Sequence, residues 1–307
     1  MGKYILYRLL GSIPVLIGVL FVVFMMVRLV PGDPVRIMLE GRPTTEEQRE
    51  EVRKAMGLDR PIPIQFVSFI GGVAQGDLGE SYRTTRPVTT EIAQRLPNTA
   101  KLAGAALAIT VVFGVGIGVL AAVKKGSILD FGSMGASILA VSIPNFWFGM
   151  MLMLLFAVTL GWFPVSGADS WKHLVLPAAA LGLRSSAVLA RVTRSTLLEV
   201  LSNDYVRTAR AKGLQDRLVI YRHAMPNTLI PILTLVGLEI GALLTGAFII
   251  EVVFSYPGMG WLLIESIAQR DFPVIQGVVL LTAVTYILIN LLVDVLYAFT
   301  DPRIRYS

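Results

Sequence analysis

The sequence predicts an all-α membrane protein with six transmembrane helices and a long extracytoplasmic loop after the first. Three observations carry that prediction. Of 307 residues, 54% are hydrophobic and only 16% charged, with a mean hydropathy of +0.69. That is too apolar for an ordinary soluble domain. Six apolar runs approach the roughly 20 residues a helix needs to cross a hydrocarbon core of about 30 Å. The short segments between them alternate in Lys/Arg content, which separates a cytoplasmic from an external side.

The first span is 9–27, uncharged. It is longer than a signal-peptide apolar region and is followed by Arg28 and Pro31, not by a small-residue cleavage site. The second span is 102–123 and the third 131–160, interrupted by Pro144. The fourth is 174–196, carrying Arg184. The fifth is 229–254, carrying Glu239 and Glu251, and the sixth is 272–293. Alternate short segments carry Lys3 and Arg8, Lys124 and Lys125, a cluster over 184–222, and Arg303 and Arg305. The other short loops hold Lys172 and Arg270. Both termini are therefore expected in the cytoplasm. The domains read as an N-terminal helix (1–30), an external loop (31–98), a transmembrane domain (99–300) and a cytoplasmic tail (301–307).

Within the external loop, Thr44 or Thr45 with Glu47 or Gln48 offers a capping box. Gly57 offers a left-handed stop, against which Leu58 folds back. Glu50 and Lys54 stand at i,i+4 spacing. A helix of about three turns is expected there, then a turn at Pro61 and Pro63.

Gly114 and Gly118 form a small-residue surface that lets helix backbones approach. Pro144 removes a backbone donor and is expected to kink the third span, a break tolerated beside a wet cavity. A charge in mid-membrane costs about 2.5–3.5 kcal/mol on insertion scales. At about 1.5 Å per residue, Arg184 and Glu239 both fall near the middle of their spans. They are expected to pair or to face one polar pathway; the alternative puts Arg184 on backbone carbonyls and Glu239 on cavity water. Glu251, Asp294 and Arg28 read as structural, Arg28 by snorkelling to the interface. The fifth span is the main candidate for the pore lining, because Gly241, Thr245 and Gly246 leave room and polarity.

The stretch 204–226 is polar, helix-prone and basic, between two apolar segments. Eight Lys/Arg and three acids lie between Arg184 and Arg222. Thr208, Ala209 and Gly213, followed after nine residues by His223, Met225 and Pro226, resemble the coupling loop of ABC-importer permeases. That consensus is Glu-Ala-Ala-x3-Gly-x9-Ile-x-Leu-Pro; Arg207, Thr208 and His223 depart from it. Met1-Gly-Lys-Tyr-Ile-Leu-Tyr-Arg-Leu-Leu10, Pro31-Gly-Asp-Pro34, Gly76-Asp-Leu-Gly-Glu-Ser81 with Arg86-Pro-Val88, and Ile143-Pro-Asn-Phe146 extend the likeness. So do Asp204-Tyr-Val-Arg-Thr-Ala-Arg-Ala-Lys-Gly213, Val253-Phe-Ser-Tyr-Pro-Gly-Met-Gly260 and the stretch from Asp294 to Tyr306. Together they resemble the peptide/nickel class, in particular the first permease subunit of dipeptide-, oligopeptide- and glutathione-type systems.

The resemblance implies a type I ABC importer permease fold working by alternating access. It implies a second homologous permease, two ABC ATPase subunits, an external substrate-binding protein and a bacterial or archaeal cytoplasmic membrane. ATP and Mg would be bound by the ATPases, and this chain would carry no cofactor. Asp204, Tyr205, Arg207, Thr208, Ala209, Arg210, Ala211, Lys212 and Gly213 would form a coupling helix. There Gly213 permits the turn, Ala209 and Ala211 allow close approach, and Arg207, Arg210 and Lys212 offer charged hydrogen bonds.

Other classes fit less well. No cysteine means no disulfide framework and no Cys-based thiolate or zinc site, and two histidines, His173 and His223, leave little for a His-based metal or catalytic cluster. No phosphate-binding loop is present, so the chain is not expected to hydrolyse ATP. The +6 net charge lies beside the spans, which explains it by topology and not by nucleic acid. A stand-alone secondary transporter would use Glu239 for ion coupling and show an internal repeat, which is not seen.

Overall fold

The computed structural model describes residues 2–29, 35–36, 39, 44–55 and 57–300, with side chains over 10–26, 35–36, 39, 44–54 and 57–293. The described residues form helices and one isolated bridge, Glu80 with Pro87. We number the helices α1 (Gly2–Leu29), α2 (Glu46–Ala55), α3 (Ile62–Ala74), α4 (Val88–Val123), α5 (Ile128–Ser142) and α6 (Asn145–Thr159). They continue as α7 (Trp171–Leu201), α8 (Asp204–Ala211), α9 (Asp216–Val253), α10 (Met259–Gln269) and α11 (Phe272–Thr300). Among the described residues four helices are long and apolar enough to cross a membrane: α4, α7, α9 and Phe272–Val293 of α11. The pair α5 and α6 makes a fifth if counted as one broken span, and Leu10–Met26 of α1 is a further apolar stretch.

Contacts divide the chain into two compact units, 1–97 with 261–288, and 98–260 with 289–307. In the first unit, α2 begins with the expected box. Gln48 N donates to Thr45 Oγ1 (3.3 Å), and Thr45 N donates to Gln48 Oε1 (3.0 Å). It stops at Gly57 (φ +64°), with Leu58 N bonded to Arg53 O. Glu50 pairs with Arg53 at 3.3 Å and not with Lys54. The turn expected at Pro61 and Pro63 is instead the start of α3, since proline fits a helix's first turn, where no N–H is needed. Phe66 and Phe69 of α3 stack with Phe21 and Phe24 of α1 at 5.1–5.8 Å. The loop before α4 is held by buried Asp271. It accepts from Ser81 Oγ at 2.5 Å and from Tyr82 N at 3.1 Å. Helix α4 starts at Val88, inside the loop expected to run to 98. Its first turn carries Glu91, which accepts from Thr84.

The second unit is built around α7. A Cβ added at Gly118 would lie 2.6 Å from Ala190 O, and one at Gly114 would lie 2.8 Å from Leu189 Cβ. The glycines thus let α4 and α7 touch backbone to backbone. Leu102, Ala106, Ala180, Leu181, Leu243, Ala247 and Ile250 form the main apolar core. The third span is more than kinked: α5 and α6 meet at 109°. Pro144 forces Ile143 into the extended region (φ −91°, ψ 127°) and cannot continue the ladder. One of the two histidines is accounted for here: His173 Nδ1 accepts from Ser170 N at the start of α7 (3.2 Å).

Candidate functional site

Helix α8 stands alone between two long helices. Asn203 enters it extended and Gly213 (φ +80°) ends it in a conformation that favours glycine. Val206 and Ala209, three residues apart, share the buried side and pack on Val219, Leu201 and Leu214. Asp204, Tyr205, Arg207, Thr208, Arg210, Ala211, Lys212 and Gly213 are exposed. Ala209 therefore does not offer the close approach to a partner expected of it; it seats the helix on its own chain, while Ala211 stays accessible. Two cations are tethered locally, Arg207 to Asp204 (3.6 Å) and Arg210 to Asp216 (3.0 Å). Thr208 Oγ1 donates to Asp204 O, and Asn227 donates to the Tyr205 hydroxyl (2.7 Å), linking α8 to α9. Just before Pro226, which has no N–H for the carbonyl four residues back, α9 widens into a π-turn, Val219–Ala224. His223 lies half-buried in that turn.

The five pore candidates do not share one surface. Glu239 and Gly246, seven residues apart on α9, look toward α7 and α6. Glu239 accepts from Ser185 Oγ at 2.8 Å. A Cβ on Gly246 would lie 3.2 Å from Leu181 Cδ2 and 3.6 Å from Asn145 Nδ2. Gly241 is buried, and Thr245 is accessible along a face shared with Leu238, Ala242 and Ile249.

Arg184 and Glu239 do not pair. Ser185 is the residue of α7 that meets Glu239, and its neighbour Arg184 is turned about 100° away, toward α5. There its Nε donates to Ala140 O at 3.2 Å. Ala140 is four residues before Pro144, so Arg184 serves the carbonyl to which Pro144 cannot donate. A recess of about 80 Å³ opens at this point, lined by Ala140, Ile143, Phe148, Leu183 and Arg184.

Two polar links between distant residues were not anticipated. Asp130 at the start of α5 takes both Nε and Nη2 of Arg194 and also accepts from Gly126 N (2.9 Å). The pairs Asp130–Arg194, Ser137–Ala187 and Ala140–Arg184 step forward on α5 by the residues they step back on α7, so the two helices run antiparallel in one register. Glu251 is fully buried, accepting from Thr99 Oγ1 (2.5 Å) and Gly260 N (2.7 Å), while Thr99 accepts from Met259 N. Gly258 has no room for a Cβ beside that carboxylate. Burial, and then Glu251, push the Tyr256 phenol above its ordinary pKa. Glu251 stood out in the sequence as an acid at a helix end; its partner, 152 residues away, did not. These contacts give Glu251 the structural role expected of it. The side chains of Arg28 and Asp294 lie outside the described residues.

Residues 114–306 match the family of binding-protein-dependent transport system inner membrane components. Residues 1–103 match the N-terminal part of such a membrane component. Over the whole length of both chains, the sequence is 47% identical to the glutathione transport system permease protein GsiC of Pectobacterium atrosepticum. It is 43% identical to the di/tripeptide transport system permease protein DppB of Pseudomonas aeruginosa, again over both whole chains. Among solved structures, the inward-facing MetNI methionine ABC transporter aligns with a TM-score of 0.58 at 18% identity. That alignment covers 69% of this chain and 96% of the other. An amino acid ABC transporter aligns with a TM-score of 0.54 at 19% identity, covering 68% and 94%. These two likenesses show a shared fold.

Proposed function

Given that the chain belongs to the family of binding-protein-dependent inner membrane transport components, we propose that it imports small peptides (dipeptide, oligopeptide or glutathione) into a bacterial or archaeal cell. It is a multi-pass ABC-importer permease, not an enzyme, and such permeases work with ATPase and substrate-binding components. We assign it six spans, both termini cytoplasmic, a partner permease, two ATPases that bind ATP and Mg, and one external binding protein. Residues 31–98 form the external loop, 99–300 the transmembrane domain and 301–307 the tail.

The observation that carries this reading is α8. It is an eight-residue helix, seated by Val206 and Ala209, with Arg207, Arg210 and Lys212 on its free side. In this reading Asp204, Tyr205, Arg207, Thr208, Arg210, Ala211, Lys212 and Gly213 meet an ATPase groove, and Ala209 acts from behind. ATP-driven closure moves α8, and the Tyr205–Asn227 bond passes the movement to α9. The bundle then rocks between outward- and inward-open states. The translocation path is assigned to Arg184, Glu239, Gly241, Thr245 and Gly246. The peptide cargo follows from the two full-length relatives, named for glutathione and di/tripeptide transport.

The test is purification of the tagged chain from native membranes, with ATP hydrolysis measured on what accompanies it. A second permease and ATPases should co-purify, and stimulated hydrolysis should be lost in Gly213→Asp, which forces a side chain into φ +80°. A lone chain moving peptides in liposomes without ATP would point to a secondary transporter.

A further inference from the structure

We propose that Arg184 binds the carboxylate of the translocated substrate, through the recess beside the Pro144 break. The inference rests on the peptide reading above and names what one residue of that path recognises.

Arg184 has two tasks available and the chain uses one of them. Its Nε caps Ala140 O. The two terminal nitrogens have no partner among the described residues, and the side chain lines the recess with Ala140, Ile143, Phe148 and Leu183. An arginine whose Nε is occupied still presents its end-on fork, the geometry that grips a carboxylate with two parallel hydrogen bonds. The other recess residues are apolar, so a carboxylate there is drawn by a charge that water screens poorly.

Among the described residues the charge also has no counter-ion. Arg194, on the same helix, has Asp130; Glu239, the acid that Arg184 was expected to meet, is bonded to Ser185. A guanidinium inside a membrane calls for a counter-charge, and a substrate carboxylate supplies one on arrival. The recess takes a carboxylate end and not a whole peptide, so side chains stay outside it. Such a site reads the group all free peptides share, which suits a permissive importer. Its position at the α5–α6 bend places substrate contact beside a 109° break in the second unit.

The test uses the assembled transporter in liposomes, with its ATPases and binding protein, as wild type, Arg184→Gln and Arg184→Lys. Glutamine keeps an N–H for Ala140 O but loses the charge and the fork. A dipeptide is supplied as free acid and as C-terminal amide, each shown by calorimetry to load the binding protein. Uptake and ATP hydrolysis are read together. Arg184→Gln should lower the ratio of free-acid to amide uptake about tenfold, the scale of one charged hydrogen bond. Lysine should fall between. An acid-to-amide ratio indifferent to Arg184 would overturn the inference and leave the residue as a cap on Ala140. Acid uptake and hydrolysis falling together would do the same. A wild type that carries neither peptide would overturn the peptide reading, and this inference with it.

Discussion

Arg194 and Arg184 stand ten residues apart on α7 and turn toward the same helix, α5, yet they are held differently. Arg194 meets a carboxylate with two nitrogens, and that carboxylate is further fixed by Gly126 N. Arg184 meets one carbonyl with one nitrogen. The first is a two-nitrogen charged pair that holds α5 against α7. The second is half-used. Where a fold places a charge at a break and leaves most of its donors unspent, structure alone does not account for the charge, and function is the better explanation.

The comparison can be broken at three points. Arg194→Met should do the most damage, because it leaves the buried Asp130 carboxylate with its guanidinium partner gone. The purified complex should lose more thermal stability than with any other change discussed, and charge exchange (Asp130→Arg with Arg194→Asp) should recover part of the loss. A melting temperature close to wild type would make the pair incidental. Ser185→Ala should cost about 1 kcal/mol, the worth of the one bond that Ser185 gives Glu239, and should leave peptide preference intact. Denaturation in mild detergent reads the first, competition uptake the second. Smallest for the fold is Arg210→Ala. It removes an exposed pair with Asp216, worth about 0.2–1 kcal/mol, while transport per ATP should fall sharply if α8 transmits ATPase motion. Unchanged coupling would remove Arg210 from that surface.

Much of the fold was legible in the sequence, for identifiable reasons. Span positions follow from apolar length, and α11 begins at Phe272, where the sixth span was expected to begin, though the helix runs on to Thr300. The capping box at Thr45 and Gln48 and the stop at Gly57 are local chemistry, readable from neighbours alone. The start of α3 was misread because Pro61 and Pro63 signal a turn as well as a helix's first turn. The start of α4 was misread because the polar residues from Thr89 to Asn98, with Pro97 among them, look like loop in a hydropathy profile. Of the candidate site, the motif pointed to α8, but not to which side of it faced inward. Ala209 and Ala211 are told apart only by packing, Ala209 against Val219 and Leu214 and Ala211 exposed. Long-range polar links such as Asp130–Arg194 and Thr99–Glu251 leave no local signature, and Arg184 with Glu239 shows the opposite hazard. Two charges at equal expected depth invite pairing, yet a rotation of one residue along α7 gives the contact to Ser185.

Helix α8 is assigned as the place where this permease meets its ATPase. Because the chain has no cysteine, Lys212→Cys introduces a unique thiol on the exposed end of that helix, and Trp162→Cys a control on an exposed residue between α6 and α7. A short bifunctional thiol reagent applied to the assembled complex, with a cysteine on the ATPase surface, should link the ATPase to position 212 and not to 162, with a yield that changes when ATP is added. Equal linking from both positions, or none from 212 in a complex that still hydrolyses ATP on demand, would contradict the claim.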